Sequence, residues 1–513
     1  MKSPAVAALC LGLALLTFFR YPGHTWLQQD TQIYLPILEH QRDPGVLGND
    51  LLVQQPHVAF TLYDEVARGL RAVTGQGFRQ VLAAQQIVTR ALGIWGFYLM
   101  ATALGFSAAP AFFVASICAL GARIVGPEVL SFEFEPTPRA FAVPLLLCAV
   151  GLVSHRRFLG AGIAAACAFL YHPPTALPFW ALFVLLAIFS RKLPSLIPLL
   201  LAVVLLALMS RGEGGQPLFG QLTPLQEQLQ RMRAPYSWIS TWHPAWIVHY
   251  CLLCAIGAAA FARVRPKIPV ELQTFLVGLP LLGILSMPLS WLLLERGKWL
   301  LVPQIQPMRM LLFVAVAMQF LAAAAGARAV INHRLPEAFA WFALAYLPQL
   351  QPVLTEALAW RHLLIAVPLA ALALLAVRYP VLGLAAFLTL PVAYPALHTP
   401  ELDQLSAWAR GNTPRDAVFL FPDAGHGLSP GIFRADALRA VFVDWKGGGQ
   451  VNYRREFAEE WWKRWQMINN SPIDLARYAA LGIAYIVVKP EHRLTQPAAF
   501  QNRDFVAYRT TPP

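Results

Sequence analysis

Apolar segments of roughly 15 to 20 residues recur throughout this chain, a length close to what one membrane-crossing helix needs. Short basic clusters separate many of them, such as SHRR at 154–157 and ARVRPK at 262–267. Of the 513 residues, 57% are hydrophobic and only 13% are charged, which is far from the composition of a soluble domain. In lipid, a single chain segment satisfies its own backbone hydrogen bonds as a helix. The pattern therefore predicts an α-helical polytopic membrane protein.

The basic clusters also predict the orientation of the helices, because Lys and Arg accumulate in cytoplasmic loops. The first apolar run follows Lys2 and shows no small-residue cleavage site, so we expect an uncleaved helix with the N-terminus inside. Placing each clear basic cluster inside gives about thirteen crossings, with the C-terminus outside. The predicted spans lie near residues 4–19, 86–105, 107–122, 140–153, 158–190 (two crossings around a turn at His172, Pro173 and Pro174), 194–210, 244–262, 270–294, 309–325, 337–351, 361–377 and 380–396.

The composition changes after His398, and the remaining residues alternate helix-like with strand-like segments. TPRDAVFLFP, ALRAVFVDW and GIAYIVVKP each contain a β-rich run, and FVAYRT is a candidate edge strand. This alternation is typical of a small, mostly parallel sheet. No Gly-rich nucleotide loop follows a strand. The sequence thus predicts two parts: a membrane domain over 1–398 with an outer loop at 21–85, and a soluble α/β domain over 399–513 on the outer face.

The first outer loop carries Asp30, Glu39, Asp43 and Asp50 in a chain that has only 27 acidic residues. An ordinary interpretation, in which solvated acids cap short helices, suits Glu39 and Asp43. Asp30 lies within about ten residues of a helix exit, a position where ionisable groups mark functional sites. We therefore predict that Asp30 is a catalytic or substrate-binding carboxylate at the outer membrane face, with helix capping as the open alternative.

This plan resembles the GT-C membrane glycosyltransferases, which include oligosaccharyltransferases and protein O-mannosyltransferases. Within that superfamily, the chain resembles large bacterial integral membrane proteins that carry DxxxY in the first loop, here Asp30 and Tyr34. They also have a tail resembling NTPRDAVFLFP followed by FRADALRAVFVDWK. The chain departs from other members, because no Asp-x-Asp or Asp-Glu pair adjoins Asp30 and the tail lacks a WWDYG-like motif.

The resemblance implies transfer of a sugar from a polyprenyl-phosphate donor to an acceptor at the outer face. Such a reaction needs a carboxylate that takes the proton of the acceptor hydroxyl, and a cation that stabilises the departing phosphate. Asp30 is the candidate for the first role, with Tyr34 beside it as a substrate-binding residue. Arg309, in QPMRM, is the candidate for the second role because its planar guanidinium suits phosphate. A snorkelling interfacial arginine explains Arg309 equally well.

The outer loop SFEFEPTPR supplies Glu133, Glu135 and Arg139. In the enzymes that the chain resembles, an acid of the second loop helps to bind a divalent metal ion or the acceptor. The resemblance therefore implies that Glu133 or Glu135 joins Asp30 in a site for Mg²⁺ or Mn²⁺, ions that prefer oxygen ligands. Arg139 is the accompanying substrate-binding candidate.

Two further substrate-binding candidates come from turns. His172, in YHPPT, either binds phosphate or caps the helix that the two prolines break. Lys446 and Asp444 follow a predicted strand, at the sheet edge where ligands often bind in open α/β sheets. They are predicted to face the membrane site, although a salt-bridged surface explains them equally well.

Two amphipathic segments predict helices that lie on the membrane surface rather than across it. One covers residues 57–73, and the other is TPLQEQLQRMR, with a cap at Thr223 and an apolar face. The apolar face predicts an interfacial helix. The tryptophans that follow it predict an aromatic belt, with an acceptor groove as the alternative. These residues are Leu225, Leu229, Met232, Trp238, Trp242 and Trp246.

Three classes of function stay open: a glycosyltransferase, a transporter or flippase of lipid-linked substrates, and a non-catalytic assembly protein for cell-envelope polysaccharide. The formal net charge of +13 indicates contact with anionic membrane lipid and no nucleic-acid partner, because the basic residues cluster between apolar segments. The resemblance implies a multi-pass protein of the bacterial plasma membrane. The sugar and the acceptor are not predicted.

Overall fold

A large helical bundle and a smaller α/β region make up the molecule. The computed structural model describes residues 3–54, 61–209, 219–350, 360–378, 398–469 and 473–511. In chain order the helices are α1 (Ser3–Phe19), α2 (Thr31–Arg42), α3 (Tyr63–Thr74), α4 (Phe78–Ala103), α5 (Ala108–Ala119), α6 (Pro138–Ser154), α7 (Phe158–Tyr171), α8 (Pro173–Phe189), α9 (Ile197–Met209), α10 (Pro224–Arg233), α11 (Pro244–Val264), α12 (Val270–Ser290), α13 (Val302–Ile305), α14 (Leu312–Ile331), α15 (Leu335–Leu350), α16 (Trp360–Arg378), α17 (Pro400–Asn412), α18 (Ser429–Ala437), α19 (Arg455–Asn469) and α20 (Leu475–Ala480).

Helix α14 forms the centre of the bundle, and nearly all of its side chains are buried. Its alanine-rich sequence lets the neighbouring helices α5, α11, α12 and α15 pack closely against it. Helices α4 and α6 approach each other through glycines. A Cβ atom added at Gly96 would collide with the backbone of Leu147, and one at Gly151 would lie 2.6 Å from the carbonyl oxygen of Gly96. The close α4–α6 contact therefore requires glycine at both positions.

The outer surface of the bundle is apolar, as a lipid-facing surface must be. Leu200 and Leu201 on α9 are each 63% exposed, and α8, α11 and α12 also present exposed leucines and isoleucines. By length and composition, three helices among the described residues can cross a membrane: Pro244–Lys267, Val270–Arg296 and Val302–Ile331. Other apolar helices are shorter. Large exposed apolar surfaces of this kind identify a membrane protein.

Helices occupy the predicted spans from residue 4 to residue 377, and 380–396 lies outside the described residues. The predicted turn at His172 is confirmed, because α7 ends at Tyr171 and α8 begins at Pro173. Loops predicted to lie inside meet at one end of the bundle. There Arg156 Nε lies 2.7 Å from Glu271, and Arg263 Nη2 lies 3.0 Å from Glu337. The number of crossings and the side that this end faces stay predictions.

The C-terminal region contains a five-stranded sheet, and a separate hairpin of β1 (Arg123–Ile124) and β2 (Val129–Leu130) lies in the second outer loop. The sheet is formed by β3 (Val418–Leu420), β4 (Ala440–Val441), β5 (Tyr485–Val488), β6 (Phe500–Gln501) and β7 (Val506–Arg509), in the order β4-β3-β5-β7-β6. Strand β3 pairs in parallel with β4 and β5, whereas β7 runs antiparallel to β5 and β6. The sheet is thus half parallel, and FVAYRT is not an edge strand because β6 covers it.

The segment predicted to be the first outer loop packs against the C-terminal region and shares its hydrophobic core. Leu35 and Leu38 of α2 belong to one cluster with Phe419 and Phe433, while Ile33 and other residues of the loop join a second cluster around Trp461. Helix α2 therefore contributes to both apolar cores. The predicted loop at 21–85 and the predicted domain at 399–513 meet through a continuous apolar interface.

Helix α10 has the predicted cap at Thr223, and the structure shows it to be a capping box: Thr223 Oγ1 accepts the N–H of Gln226, and the Gln226 side chain accepts the N–H of Thr223. The prediction for its apolar face was wrong, because Leu229 is fully buried against the C-terminal region rather than turned to the membrane. An amphipathic pattern predicts burial of a face without specifying what covers it. The aromatic-belt interpretation fails for Trp238 in the same way, since Trp238 is fully buried and stacks under Arg231 at 3.9 Å.

Candidate active site

Asp30 lies immediately before α2, where the first outer loop turns into a helix. Its side chain does not cap the helix. The carboxylate instead accepts a hydrogen bond from Lys446 Nζ at 2.7 Å. Loss of hydration raises the pKa of Asp30, but the positive charges of Lys446, Arg139 and Arg309 lower it to about 2. Asp30 is therefore ionised at neutral pH, and 38% of its side chain remains exposed, so a ligand can reach it.

Glu39 and Asp43 of the same loop have ordinary surface roles. Glu39 pairs with Arg42 at 2.6 Å on the same helix. Asp43 follows α2, and its Oδ1 accepts the N–H of Gly45 at 3.0 Å, a turn contact that aspartate commonly makes. These side chains do not contribute to the group around Asp30.

Glu135 holds the loop that carries Asp30. Its Oε1 accepts the backbone N–H groups of Gln28 at 2.5 Å and Gln29 at 2.9 Å. Its Oε2 accepts the N–H of Thr31 at 3.0 Å and the hydroxyl of Thr31 at 2.7 Å. A carboxylate offers about four acceptor positions, and these bonds use them all. Glu135 thus fixes the backbone on both sides of Asp30.

Glu133 holds Arg139 toward the candidate site. The Arg139 Nε donates to Glu133 Oε1 at 2.7 Å, and both side chains are buried. Arg139 in turn acts electrostatically on Asp30 and Tyr34. Because Glu133 pairs with a cation and Glu135 is fully hydrogen-bonded, these residues do not fit the predicted Mg²⁺ or Mn²⁺ site.

Lys446 is positioned by the residues around it. Asp444 ends the loop after β4, and its Oδ2 accepts the N–H of Gly447 at 3.0 Å. The carbonyl oxygen of Asp444 accepts the indole N–H of Trp461 at 2.9 Å. These bonds fix the backbone on both sides of Lys446, so that its side chain extends to Asp30.

A buried ion-pair chain joins this turn to the first outer loop. Arg434 pairs with Asp444 on one side and with Asp50 on the other, where Nε and Oδ2 are 2.7 Å apart. All three side chains are at most 2% exposed. Asp50 also accepts the N–H of Val441 at 2.8 Å. Asp444 therefore has a structural role, and of the two residues predicted to face the site only Lys446 reaches it.

Arg309 lies in the 3-10 turn Pro307–Leu311 that precedes α14. The centre of its guanidinium lies 5.4 Å from the ring centre of Tyr236. Its Nε is buried and has no hydrogen-bond partner, and no carboxylate of the described residues pairs with it. Its charge nevertheless acts on Asp30 and on Glu128. A guanidinium with an unused donor beside an acidic site suits a bound phosphate.

His172 caps α8, because its Nδ1 accepts the N–H of Thr175 at 3.3 Å. Loss of hydration and the charges of Arg139 and Arg309 hold the pKa of His172 well below its usual value. The ring is therefore neutral at pH 7. The predicted capping role is confirmed, and binding of phosphate stays a prediction.

Tyr34 lies in the first turn of α2, with its ring 5.2 Å from that of Tyr63. Burial and the negative charge of Asp30 raise the pKa of Tyr34 well above its usual value. The phenol thus stays protonated beside Asp30 at neutral pH, so it can act as a hydrogen-bond donor to a bound substrate.

No sequence motif marks Glu128 or Tyr453 as a site residue. Glu128 lies in the turn between β1 and β2 with a φ of 53°, a conformation that residues other than glycine rarely adopt. Loss of hydration and the negative charge of Asp30 raise the pKa of Glu128, while the positive charges of Arg309 and Lys446 lower it. The scarcity of acids in the chain was the one signal available for Glu128. Tyr453, whose pKa burial raises to about 12, also interacts with Arg309 and Asp30, and nothing in the sequence marks it.

Residues 400–468 match the model of a domain of unknown function, DUF6798. The matched region contains Lys446 but not Asp30 or Arg309. No curated protein matches the sequence.

Several solved membrane enzymes are similar to the chain at low sequence identity. The Archaeoglobus fulgidus oligosaccharyltransferase in the apo form is 14% identical, and the match covers 95% of this chain and 70% of that chain with a TM-score of 0.44. ArnT from Cupriavidus metallidurans is 13% identical over 100% and 99% of the two chains, with a TM-score of 0.41. Arabinofuranosyltransferase AftD from Mycobacteria is 15% identical over 95% and 35%, with a TM-score of 0.45.

Proposed function

We propose that this protein is a membrane glycosyltransferase that moves a sugar from a polyprenyl-phosphate donor to an acceptor hydroxyl at the outer membrane face. The observation that carries the proposal is the setting of Asp30. Its carboxylate is ionised and accessible, and the cations Lys446, Arg139 and Arg309 lower its pKa to about 2. Such a transfer needs two kinds of group: a carboxylate that accepts a proton, and cations that bind a phosphate.

In this proposal the donor phosphate binds to Arg309 and Lys446. Arg309 is suited to this role because its buried Nε has no hydrogen-bond partner among the described residues. Lys446 is paired with Asp30 at 2.7 Å, so the phosphate competes with Asp30 for the same ammonium group. When Lys446 turns to the phosphate, the pKa of Asp30 rises. Asp30 then becomes a stronger base, and this increase in its pKa occurs when the donor has bound.

The transfer itself forms one bond and breaks another. The acceptor oxygen attacks the anomeric carbon of the sugar, and the bond between that carbon and the phosphate oxygen breaks. The bonding electrons go to the phosphate, where Arg309 and Lys446 stabilise the added charge. The acceptor hydroxyl gives its proton to the Asp30 carboxylate. Tyr34 and Glu128, whose pKa values respond to the charges of Asp30 and Arg309, would help to orient the acceptor.

The test uses the full chain in nanodiscs with a panel of undecaprenyl-phosphate sugars and an extract of envelope glycans and lipids as acceptors. Release of undecaprenyl phosphate is measured by mass spectrometry. We expect Asp30→Asn to reduce the rate by about 10²-fold or more, because the amide cannot take the proton. Asp43→Asn is the matched control, because Asp43 is on the same loop and the ion pair that it forms among the described residues is with the exposed Arg415, at 3.4 Å.

Full activity of Asp30→Asn would contradict the assignment of Asp30 as the base. A strain that carries Asp30→Asn and still assembles its envelope normally would favour the non-catalytic assembly protein over the transferase.

A further inference from the structure

We infer that His398, Asp403 and Asp436 form a binding site for a divalent transition-metal ion. One potential ligand atom from each of the three residues lies within 4.8 Å of the other two. The residues come from the segment before α17, the first turn of α17 and the end of α18. None of them belongs to the group around Asp30, and the inference does not depend on the proposed transfer.

The hydrogen bond on the far side of the imidazole orients His398 as a ligand. Its Nε2 lies 2.9 Å from the carbonyl oxygen of Trp26. Because a carbonyl oxygen only accepts hydrogen bonds, Nε2 carries the proton, and in the neutral ring Nδ1 has a free lone pair. Metal-binding histidines commonly donate their second N–H to a carbonyl or a carboxylate in this way.

The distances around Nδ1 leave space for an ion. Nδ1 lies 3.8 Å from Asp403 Oδ1 and 3.7 Å from Asp436 Oδ2, which is too long for a hydrogen bond. Among the hydrogen bonds of the described residues, none ends on the side-chain oxygens of Asp403 or Asp436. Three ligand atoms therefore converge without bonding to one another.

A small adjustment would bring these atoms to metal-binding distance. Bonds of about 2.1 Å in a tetrahedral site place ligand atoms about 3.4 Å apart. The two nitrogen–oxygen distances are already close to this value. The ligand atoms are up to 4.8 Å apart. Rotation of the Asp403 side chain, which is 61% exposed, can shorten the longer distances.

The ligand chemistry selects the class of ion. An imidazole nitrogen with two carboxylate oxygens suits Zn²⁺ or Mn²⁺ rather than Ca²⁺ or Mg²⁺, which prefer oxygen ligands alone. A dication would also neutralise the charges of the Asp403 and Asp436 carboxylates, whose oxygens both lie near His398 Nδ1.

The position of the cluster predicts what a bound ion would do. It would tie the start of the α/β region to α18 and, through His398 and Trp26, to the first outer loop four residues before Asp30. Because an ion that binds only the folded state stabilises it, metal binding should raise the melting temperature.

The test is a Zn²⁺ titration of the full chain in nanodiscs after removal of metal with a chelator. It is followed by calorimetry and by thermal unfolding in the presence of excess Mg²⁺. We expect Asp403→Asn and His398→Gln to weaken Zn²⁺ binding by 10- to 100-fold and to abolish the rise in melting temperature. Because Asp403 is exposed, we expect Asp403→Asn to fold as the wild type does.

His492→Gln is the matched control, because among the described residues His492 Nδ1 pairs with a single carboxylate, that of Asp423 at 2.9 Å. This variant should bind Zn²⁺ as the wild type does. Absence of Zn²⁺ uptake by the wild type would overturn the inference. Equal uptake by the wild type, Asp403→Asn and His398→Gln would also overturn it, because the ion would then bind elsewhere.

Discussion

Lys446 Nζ lies 2.7 Å from the Asp30 carboxylate, although 416 positions separate the two residues in the sequence. The first outer loop supplies the acid and the C-terminal region supplies the cation. The candidate site is therefore completed only when the C-terminal region docks on the loop. Buried Asp50, Arg434 and Asp444 join the same two parts, so the contact is built into the core of the molecule.

Replacement of Arg309 should weaken the binding of a polyprenyl phosphate. Arg309→Ala removes a guanidinium that has an unused Nε, and Arg309→Lys keeps the charge without the planar pair of donors. We expect losses of at least tenfold for alanine and a smaller loss for lysine, measured as undecaprenyl phosphate affinity by microscale thermophoresis. Arg296→Ala is the control, since that arginine stacks on Trp291 at 4.8 Å in the π-helical segment Trp291–Arg296 that follows α12. Equal affinity in Arg309→Ala and the wild type would exclude Arg309 from the phosphate site.

Replacement of Lys446 should change the pH dependence of transfer. The pKa of Asp30 is about 2 in the folded protein and 3.8 ordinarily. The attraction between Asp30 and its cations thus stabilises the fold above pH about 4 and is lost as the pH falls toward 2. In Lys446→Met the pKa of Asp30 rises, so the acidic limb of the rate profile should move to higher pH. The exposed Lys489→Met should leave the profile unchanged. Coinciding profiles for Lys446→Met and the wild type would show that Lys446 does not control the ionisation of Asp30.

Glu135→Gln should reduce transfer without weakening donor binding. The carboxylate accepts four hydrogen bonds from Gln28, Gln29 and Thr31. An amide replaces one accepting oxygen with a donor, which repels two of these groups and moves Asp30. We expect a loss of about 10- to 100-fold in rate, with undecaprenyl phosphate affinity retained because Arg309 is unaffected. Loss of affinity together with rate would instead indicate general unfolding of the loop.

Asp50→Ala should strongly destabilise the protein. Asp50 and Arg434 are both buried, and removal of the Asp50 carboxylate leaves the buried arginine without one of its negatively charged partners. Breaking a buried pair of this kind costs about 3–5 kcal/mol, which can be measured by denaturant unfolding in detergent. Arg415→Met removes an exposed partner of Asp43 and should have little effect. Similar stabilities of the two variants would mean that the buried chain does not hold the regions together.

Leu229→Ala tests the contact between α10 and the C-terminal region. Leu229 is fully buried there, so truncation should lower the free energy of unfolding by about 2–5 kcal/mol. Val73→Ala, at a position that is 87% exposed on α3, is the matched control. Unchanged stability of Leu229→Ala would contradict this contact and would favour the predicted position of α10 at the membrane interface.

Local patterns in the sequence were sufficient for the helices and for several of their ends. The apolar segments predict the bundle helices, Pro173 and Pro174 predict the turn at His172, and Thr223 predicts the start of α10. Each of these features depends on residues within one or two turns of a helix, so the nearby sequence contains the necessary information. The change in composition after His398 predicts the α/β region for the same reason.

Only the tertiary structure decided which of these residues meet. Lys446 and Glu133 are equally plausible in the sequence as surface charges, yet one reaches Asp30 and the other holds Arg139. The apolar face of α10 predicts burial, but its partner depends on the path of the whole chain. A charge pattern or an apolar pattern specifies the chemistry that a side chain offers, whereas its partner depends on long-range packing that brings distant segments together.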